Sequence, residues 1–200
     1  DRRQRQMCIR DSDKDRMNTI HYNDTVQLPP CVATIGFFDG VHRGHQFLLK
    51  HVVDLAHENG MESMAITFDK HPRQVLNADY QPQLLTTLDD KLKLLAETGI
   101  DHCVVLPFTK VLAALSAYDF MDNIMRTKLG VAKLLIGYDN RFGHNRSETF
   151  ADYVRYGKEM GIEVVQNTAL DVEGIMVSSS VVRRLISTVS YTHLTLPTIA

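Results

Sequence analysis

Cysteine is too scarce and too scattered in this sequence to build a disulfide framework. Cys8, Cys31 and Cys103 are three in 200 residues, odd in number, with no CxxC pair. That usage points to a reducing, cytoplasmic setting and away from a small secreted scaffold. An excess of one charge sign is missing too: a net charge of −2 at pH 7 offers no broad attraction to nucleic acid or anionic membrane. No apolar run approaches the roughly 20 residues of a membrane-spanning helix. No segment has the charged start, apolar middle and small-residue cleavage site of a signal peptide. Two familiar phosphate motifs, the Walker A loop and GxGxxG, are also absent. What is present is an ordinary globular composition, 44% hydrophobic and 23% charged. The length is ample for one α/β domain with a real core.

The two ends differ from the rest. "DRRQRQMCIRDS" at the start has no helical or strand period, and "SYTHLTLPTIA" at the end holds no charged residue. Residues 1–16 and 189–200 resemble translated sequencing-adapter read-through and are expected to be non-native, the native domain running over 17–188 from Met17. A genuine disordered arm and tail is the alternative.

Between the ends, apolar β-rich runs at Val32–Phe37, Ser63–Phe68, His102–Leu106, Lys133–Tyr138 and Glu163–Gln166 predict short buried strands. Helical spacing predicts helices over Gln46–Glu58, Leu88–Glu97, Ser116–Leu129, Ser147–Met160 and Ser178–Ile186. Gly60, Gly99, Gly130 and Gly161 stand at the ends of the first four as stop signals. This alternation predicts an α/β fold, a Rossmann-like doubly wound parallel sheet of about five strands with helices on both faces. Such sheets bind ligands beyond the carboxyl ends of their strands, where strand order reverses. One connection, His71 to Thr87, is long, holds Pro72 and Pro82 and lacks a period, so it is a candidate lid or binding loop.

Four of the predicted strand-end loops carry chemistry. In "GFFDGVHRGHQ" (36–46), Gly36, Gly40 and Gly44 let the chain turn sharply and bring backbone close to a ligand. The helix that follows presents unpaired N–H groups and the positive end of its dipole, an anion site. His42 and His45 are one helical turn apart, so both imidazoles can face one phosphate. Zinc ligation and incidental turn residues are the competing readings, and a third and fourth zinc ligand are not obvious. In "VSSSVVRRLI" (177–186), one of Ser178, Ser179 and Ser180 can cap a helix. Three hydroxyls with Arg183 and Arg184 suit a second phosphate clamp, against the alternative of a capped surface helix. "GYDNRFGHNRSE" (137–148) sets Asp139, Arg141 and Arg146 around Gly143, and "TFDKHPR" (67–73) sets Phe68, Pro72 and Arg73 where a flat ring could stack.

Together these motifs resemble the N-terminal FMN adenylyltransferase module of the bacterial bifunctional riboflavin kinase/FAD synthetase family. The likeness extends over about Met17 to Thr188, with "HRGH" (42–45) similar to the HxGH motif of nucleotidyltransferases. Two positions depart from the family pattern: Lys70, where many members carry proline, and Asn140, in place of the usual aromatic. The resemblance implies the reaction of FMN with ATP to give FAD and pyrophosphate, with Mg²⁺ accompanying ATP. It implies that His42 and His45 hold the ATP phosphates, and that Ser178, Ser179, Ser180 and Arg183 hold the departing pyrophosphate. Gly36, Phe37, Asp39, Gly40 and Gly44 would shape the ATP pocket by backbone approach, joined by Asp139 and Arg146. Phe68, Pro72, Arg73, Asp139 and Arg141 would contact FMN. The implied partners are these small molecules, with no nucleic acid and no membrane, and a riboflavin kinase module in the full family enzyme. That module's β-barrel and Pro-Thr-Ala-Asn motif do not occur in the sequence, so no riboflavin phosphorylation is expected of this chain. The HxGH logic is shared with cytidylyltransferases and with pantetheine-phosphate and nicotinate-nucleotide adenylyltransferases. A non-catalytic nucleotide- or flavin-binding module is the remaining alternative.

Overall fold

The structure, a computed structural model, describes residues 17–24, 28–77, 79, 81, 83–138, 140–144, 146–168, 171–172, 175–176 and 178–187. The predicted non-native ends, residues 1–16 and 189–200, lie outside them, as does Asp139.

A single sheet of six parallel strands forms the centre: β1 (Asn18–His21), β2 (Cys31–Ile35), β3 (Glu62–Phe68), β4 (His102–Leu106), β5 (Val131–Ile136) and β6 (Glu163–Gln166). Their spatial order is β1-β4-β3-β2-β5-β6, with every neighbouring pair parallel. The chain winds outward from β2 through β3 and β4, then returns to lay β5 on the other side of β2. That reversal puts the topological switch point between β2 and β5, where doubly wound sheets bind ligands.

The helices are α1 (Arg43–Glu58), α2 (Pro72–Leu76), α3 (Leu88–Ala96), α4 (Lys110–Ala113), α5 (Ala117–Asp119), α6 (Phe150–Met160) and α7 (Ser179–Ser187). Several begin on a side chain that accepts from the backbone three residues on. Thr87 does so for α3, Thr109 for α4 and Ser116 for α5, while Thr149 and Asp152 form a reciprocal capping box for α6.

Because side chains alternate along a strand, the sheet feeds two cores. Cys31, Ala33 and Ile35 of β2 join Met64, Ile66, Val104 and Leu106 on one face, covered by Met121, Met125 and Tyr153. Val32 joins Ala65, Cys103 and Val105 on the other face, covered by Leu49, Val52 and Ala56 of α1 and Leu95 of α3. Each fully buried Val, Leu, Ile or Met side chain contributes about 2 kcal/mol relative to an exposed one.

The sheet has six strands where the sequence pattern predicts about five. β1 is an edge strand in which only Ile20 is buried, so it lacks the apolar run that marks the others. Residues 116–129 are mostly not α-helical. After α5 the chain continues as a π-helical stretch over Phe120–Arg126, bonded Thr127 N–H to Asp122 O and Leu129 N–H to Ile124 O. Phe120, Met121, Ile124 and Met125 of this stretch are buried in the core. The connection after His71 is not irregular throughout, since Pro72 opens α2 and His71 caps it. A two-stranded antiparallel hairpin, β7 (Asp171–Val172) with β8 (Ile175–Met176), had no clear signal in the sequence.

Candidate active site

The turn after β2 is built on unusual backbone. Phe38, Gly40 and Val41 have φ of 53°, 74° and 37°, around a 3-10 turn at Asp39–Val41. A β-branched residue at positive φ is strained, and such strain persists only where its surroundings over-determine it. Gly36 and Gly40 serve the turn itself and do not offer their amides to a ligand. The Gly36 N–H donates to Ile66 O at 3.0 Å, and the Gly40 N–H donates to Thr86 Oγ1 at 3.1 Å. Gly44 lies inside the first turn of α1, which starts at Arg43.

His42 is the N-cap of α1, its Nδ1 accepting from the His45 N–H at 3.4 Å. That leaves the proton on Nε2, which donates to Ser179 Oγ at 3.2 Å, and the Ser179 hydroxyl donates onward to Asp39 O at 3.3 Å. The His45 ring stacks on His42 with centroids 3.6 Å apart and 20° between planes, and lies edge-on to Phe38. Two imidazolium rings could not stack so closely. Burial first, then the fields of His42 and Lys91, hold His45 well below the ordinary histidine range, so it is neutral at pH 7. Its Nδ1 is buried without a hydrogen-bond partner.

The three serines at the start of α7 have different surroundings. Ser178 Oγ accepts from the Val181 N–H and caps the helix, Ser179 bonds His42, and Ser180 lines the cleft. Arg183 reaches the glycine turn: its Nη2 donates to Asp39 Oδ2 at 2.5 Å and its Nε to Gln83 O at 2.8 Å. Asp39 is 2% exposed, and its Oδ1 also accepts from the Leu85 and Thr86 N–H groups at 2.9 and 3.2 Å. The carboxylate thus ties together the turn, the 83–86 segment and α7, a side-chain role where the sequence suggested backbone approach.

These elements enclose a cleft of about 380 Å³ at the carboxyl ends of the strands. Of the predicted site residues, Gly36, Phe37, Asp39, His45, Phe68, Pro72, Arg73, Arg141, Arg146, Ser179, Ser180 and Arg183 line it. His42, Gly40, Gly44 and Ser178 support it from behind as stacking partner, turn and cap. One wall is aromatic: Phe68 is edge-on to Phe108 and Phe37 edge-on to His71. Phe142, which also lines the cleft, stacks on Tyr153, whose hydroxyl accepts from the Phe142 N–H and donates to the Phe142 carbonyl. A second hollow of about 420 Å³ lies beyond the ends of β5 and β6, and Asn140 and Arg141 line both.

Sequence reasoning missed three residues here. Asn140, read only as a departure, donates through Nδ2 to Ile35 O and ties the 137–143 loop to the end of β2. Glu148 keeps a buried carboxylate oxygen without a partner and lines the second hollow. Lys91 is a buried lysine beneath Phe37. The Glu148 and Lys91 positions carried no local signal, since each sits in an ordinary-looking helical or loop pattern. Among the described residues no group of three His, Cys, Asp or Glu could hold a metal ion.

The fold and cleft define the class: a parallel, doubly wound α/β domain with a polar, histidine-bearing cleft at its switch point. A crystal structure described as a macrolide-efflux protein from Streptococcus pneumoniae shares this fold, with a TM-score of 0.75 and 24% identity, over 85% of this chain and 56% of that one. The chain belongs to the FAD synthetase family, whose model matches residues 24–181. It is 34% identical over 168 residues to the bifunctional riboflavin kinase/FMN adenylyltransferase of Escherichia coli K12, covering 84% of this chain and 54% of that protein. It is 35% identical over 160 residues to the protein of that name from Listeria monocytogenes, covering 78% and 49%. The chain thus spans about half the length of these two relatives.

Proposed function

We propose that this chain is an FMN adenylyltransferase, transferring AMP from ATP to FMN with release of pyrophosphate. The observation that carries the reading is the stacked His42–His45 pair, hydrogen-bonded through His42 to Ser179 of α7, with His45, Ser180 and Arg183 lining one cleft. The phosphate monoester of FMN has its second pKa at about 6, so at neutral pH it is an anionic nucleophile without help from a protein base. One of its oxygens attacks the α-phosphorus of ATP, forming the new P–O bond. The bond from that phosphorus to the bridging oxygen breaks, and pyrophosphate leaves with the electron pair. The protein then has to position two ligands in line and stabilise charge.

In this reading neutral His45 meets the α-phosphoryl group by hydrogen bonding, held in place by His42. Arg183 keeps Nη2 on Asp39 and Nε on Gln83 O and presents its remaining N–H groups, with Ser180, to the β- and γ-phosphates. Mg²⁺, when bound with ATP, would supply further neutralisation of the phosphate charge. Phe37, Phe68 and Pro72 give the flavin ring its apolar wall, with Arg73 and Arg141 at its polar edge. Glu148 and Gln166 in the second hollow offer acceptors to the hydroxyl or amino groups of a nucleoside. Two hollows meeting at Asn140 and Arg141 suit two substrates better than the single ligand of a binding module.

Purified protein mixed with FMN and Mg-ATP is expected to form FAD, followed by chromatography. His45→Ala should lower kcat by about 100- to 1,000-fold, the usual loss when one group stabilising the transition state is removed. No FAD above the His45→Ala level would leave the binding-module reading. A preference for CTP would move the assignment to the cytidylyltransferases.

A further inference from the structure

Lys91 of α3 is 3% exposed, yet no carboxylate stands within ion-pairing distance of it among the described residues. Its ammonium donates to Phe68 O at 2.9 Å, Thr67 Oγ1 at 3.1 Å and Phe37 O at 3.2 Å, and lies 4.3 Å from the centre of the Phe37 ring. Thr67 Oγ1 also donates to Phe37 O. These contacts lie at one particular place in the sheet. The β2–β3 ladder ends at Ile35 opposite Ile66, with a last bond from the Gly36 N–H to Ile66 O. Beyond it the ammonium and the Thr67 hydroxyl together link the two chains, both bonding Phe37 O.

All three donors of a primary ammonium are used on neutral acceptors, which satisfies its hydrogen bonding and leaves its charge unbalanced. A buried charge without a counter-charge is costly. The nearby acids have other partners: Asp39 holds Arg183, and Asp69 accepts from the Phe108 N–H. We propose that Lys91 is a positioning residue that sets the spacing of the Phe37 and Phe68 walls and whose charge is balanced by an anion held in the cleft. The inference rests on the proposed function for the identity of that anion, the phosphate of FMN.

The ionisable groups around Lys91 are Asp39 of the turn, Asp69 after β3, Cys103 of β4, His45 of α1 and His71 before α2. Burial, opposed by Cys103, Asp39 and Asp69, brings Lys91 down to about 8. An anion in the cleft favours the charged form and raises that value. Above pH 8, therefore, a phosphate-bearing ligand must bring Lys91 back to its protonated form, and its affinity falls as pH rises through this window.

The test is isothermal titration calorimetry of FMN and, separately, riboflavin, at pH 8.5 in two buffers of different ionisation enthalpy. FMN binding should take up a fraction of a proton and riboflavin binding should not, because only FMN brings the phosphate. Lys91→Met should abolish the uptake and weaken FMN binding on the order of tenfold, the size expected for one charge acting through a few ångströms of protein. It should raise KM for FMN more than it lowers kcat, and Lys91→Arg should restore much of the affinity. Equal proton uptake for FMN and riboflavin in the wild-type protein would overturn the inference without any variant having to fold. FMN binding with no uptake would overturn it too. Failure of FMN to bind at all would instead count against the proposed function.

Discussion

Asp39 and His45 illustrate two ways of burying a polar side chain. Asp39 is satisfied on every side, by two backbone N–H groups, by Thr86 and by Arg183. Asp39→Asn keeps the shape but turns an amide toward the guanidinium. It should lower unfolding stability by about 2 kcal/mol, a figure moderated because Arg183 is partly exposed. Chemical denaturation would measure that loss, and kcat should fall with it as Arg183 loses its anchor. His45 is buried and neutral, with its proton affinity depressed. The unfolded chain binds a proton at ordinary histidine values near 6.5 while the folded one does not. Stability therefore falls as pH drops below about 6.5, and His45→Asn should flatten that part of the profile. A stability–pH curve unchanged by the substitution would contradict the neutral, stacked state.

At the scale of elements, the site depends on loops pinned by few contacts. Gly143 sits at φ 96°, and a Cβ there would come within 2.7 Å of the Ala117 N and 2.9 Å of its Cβ, at the start of α5. Gly143→Ala should destabilise the protein by about 2 kcal/mol or more, combining backbone strain with overpacking. It should also raise KM for FMN, since Phe142 and Arg141 on the same loop line the cleft. A variant with the melting temperature and KM of the parent would mean that the loop repacks freely. The element boundaries show why some structure was legible in advance. Gly161 marks the end of α6 because a stop glycine acts on its own neighbours in sequence, whereas the cap at Thr149 was missed, the helical pattern being read from Ser147. β1 was not legible, because its pairing with β4 joins residues more than eighty positions apart and its exposed side chains carry no period.

For the whole molecule, the cleft joins the ends of β2, β3 and β5 with α7, so ligand binding bears on the entire sheet edge. Saturating FMN or Mg-ATP should raise the unfolding midpoint. A ligand at 100 times its Kd stabilises by about 2.7 kcal/mol. His42→Ala should reduce the shift with Mg-ATP more than with FMN, a split that differential scanning fluorimetry can read. The sequence by itself determined the alternation of strands and helices, the ends of most helices, and the two histidines behind a glycine turn. Those depend on side-chain periods and caps that act over a few residues. Only the tertiary structure decided which serine meets His42, that Asp39 holds Arg183 from 144 positions away, and that Lys91 joins the ends of two strands beneath the cleft. A buried charge must find its partners wherever the fold brings them, and local pattern carries no record of that.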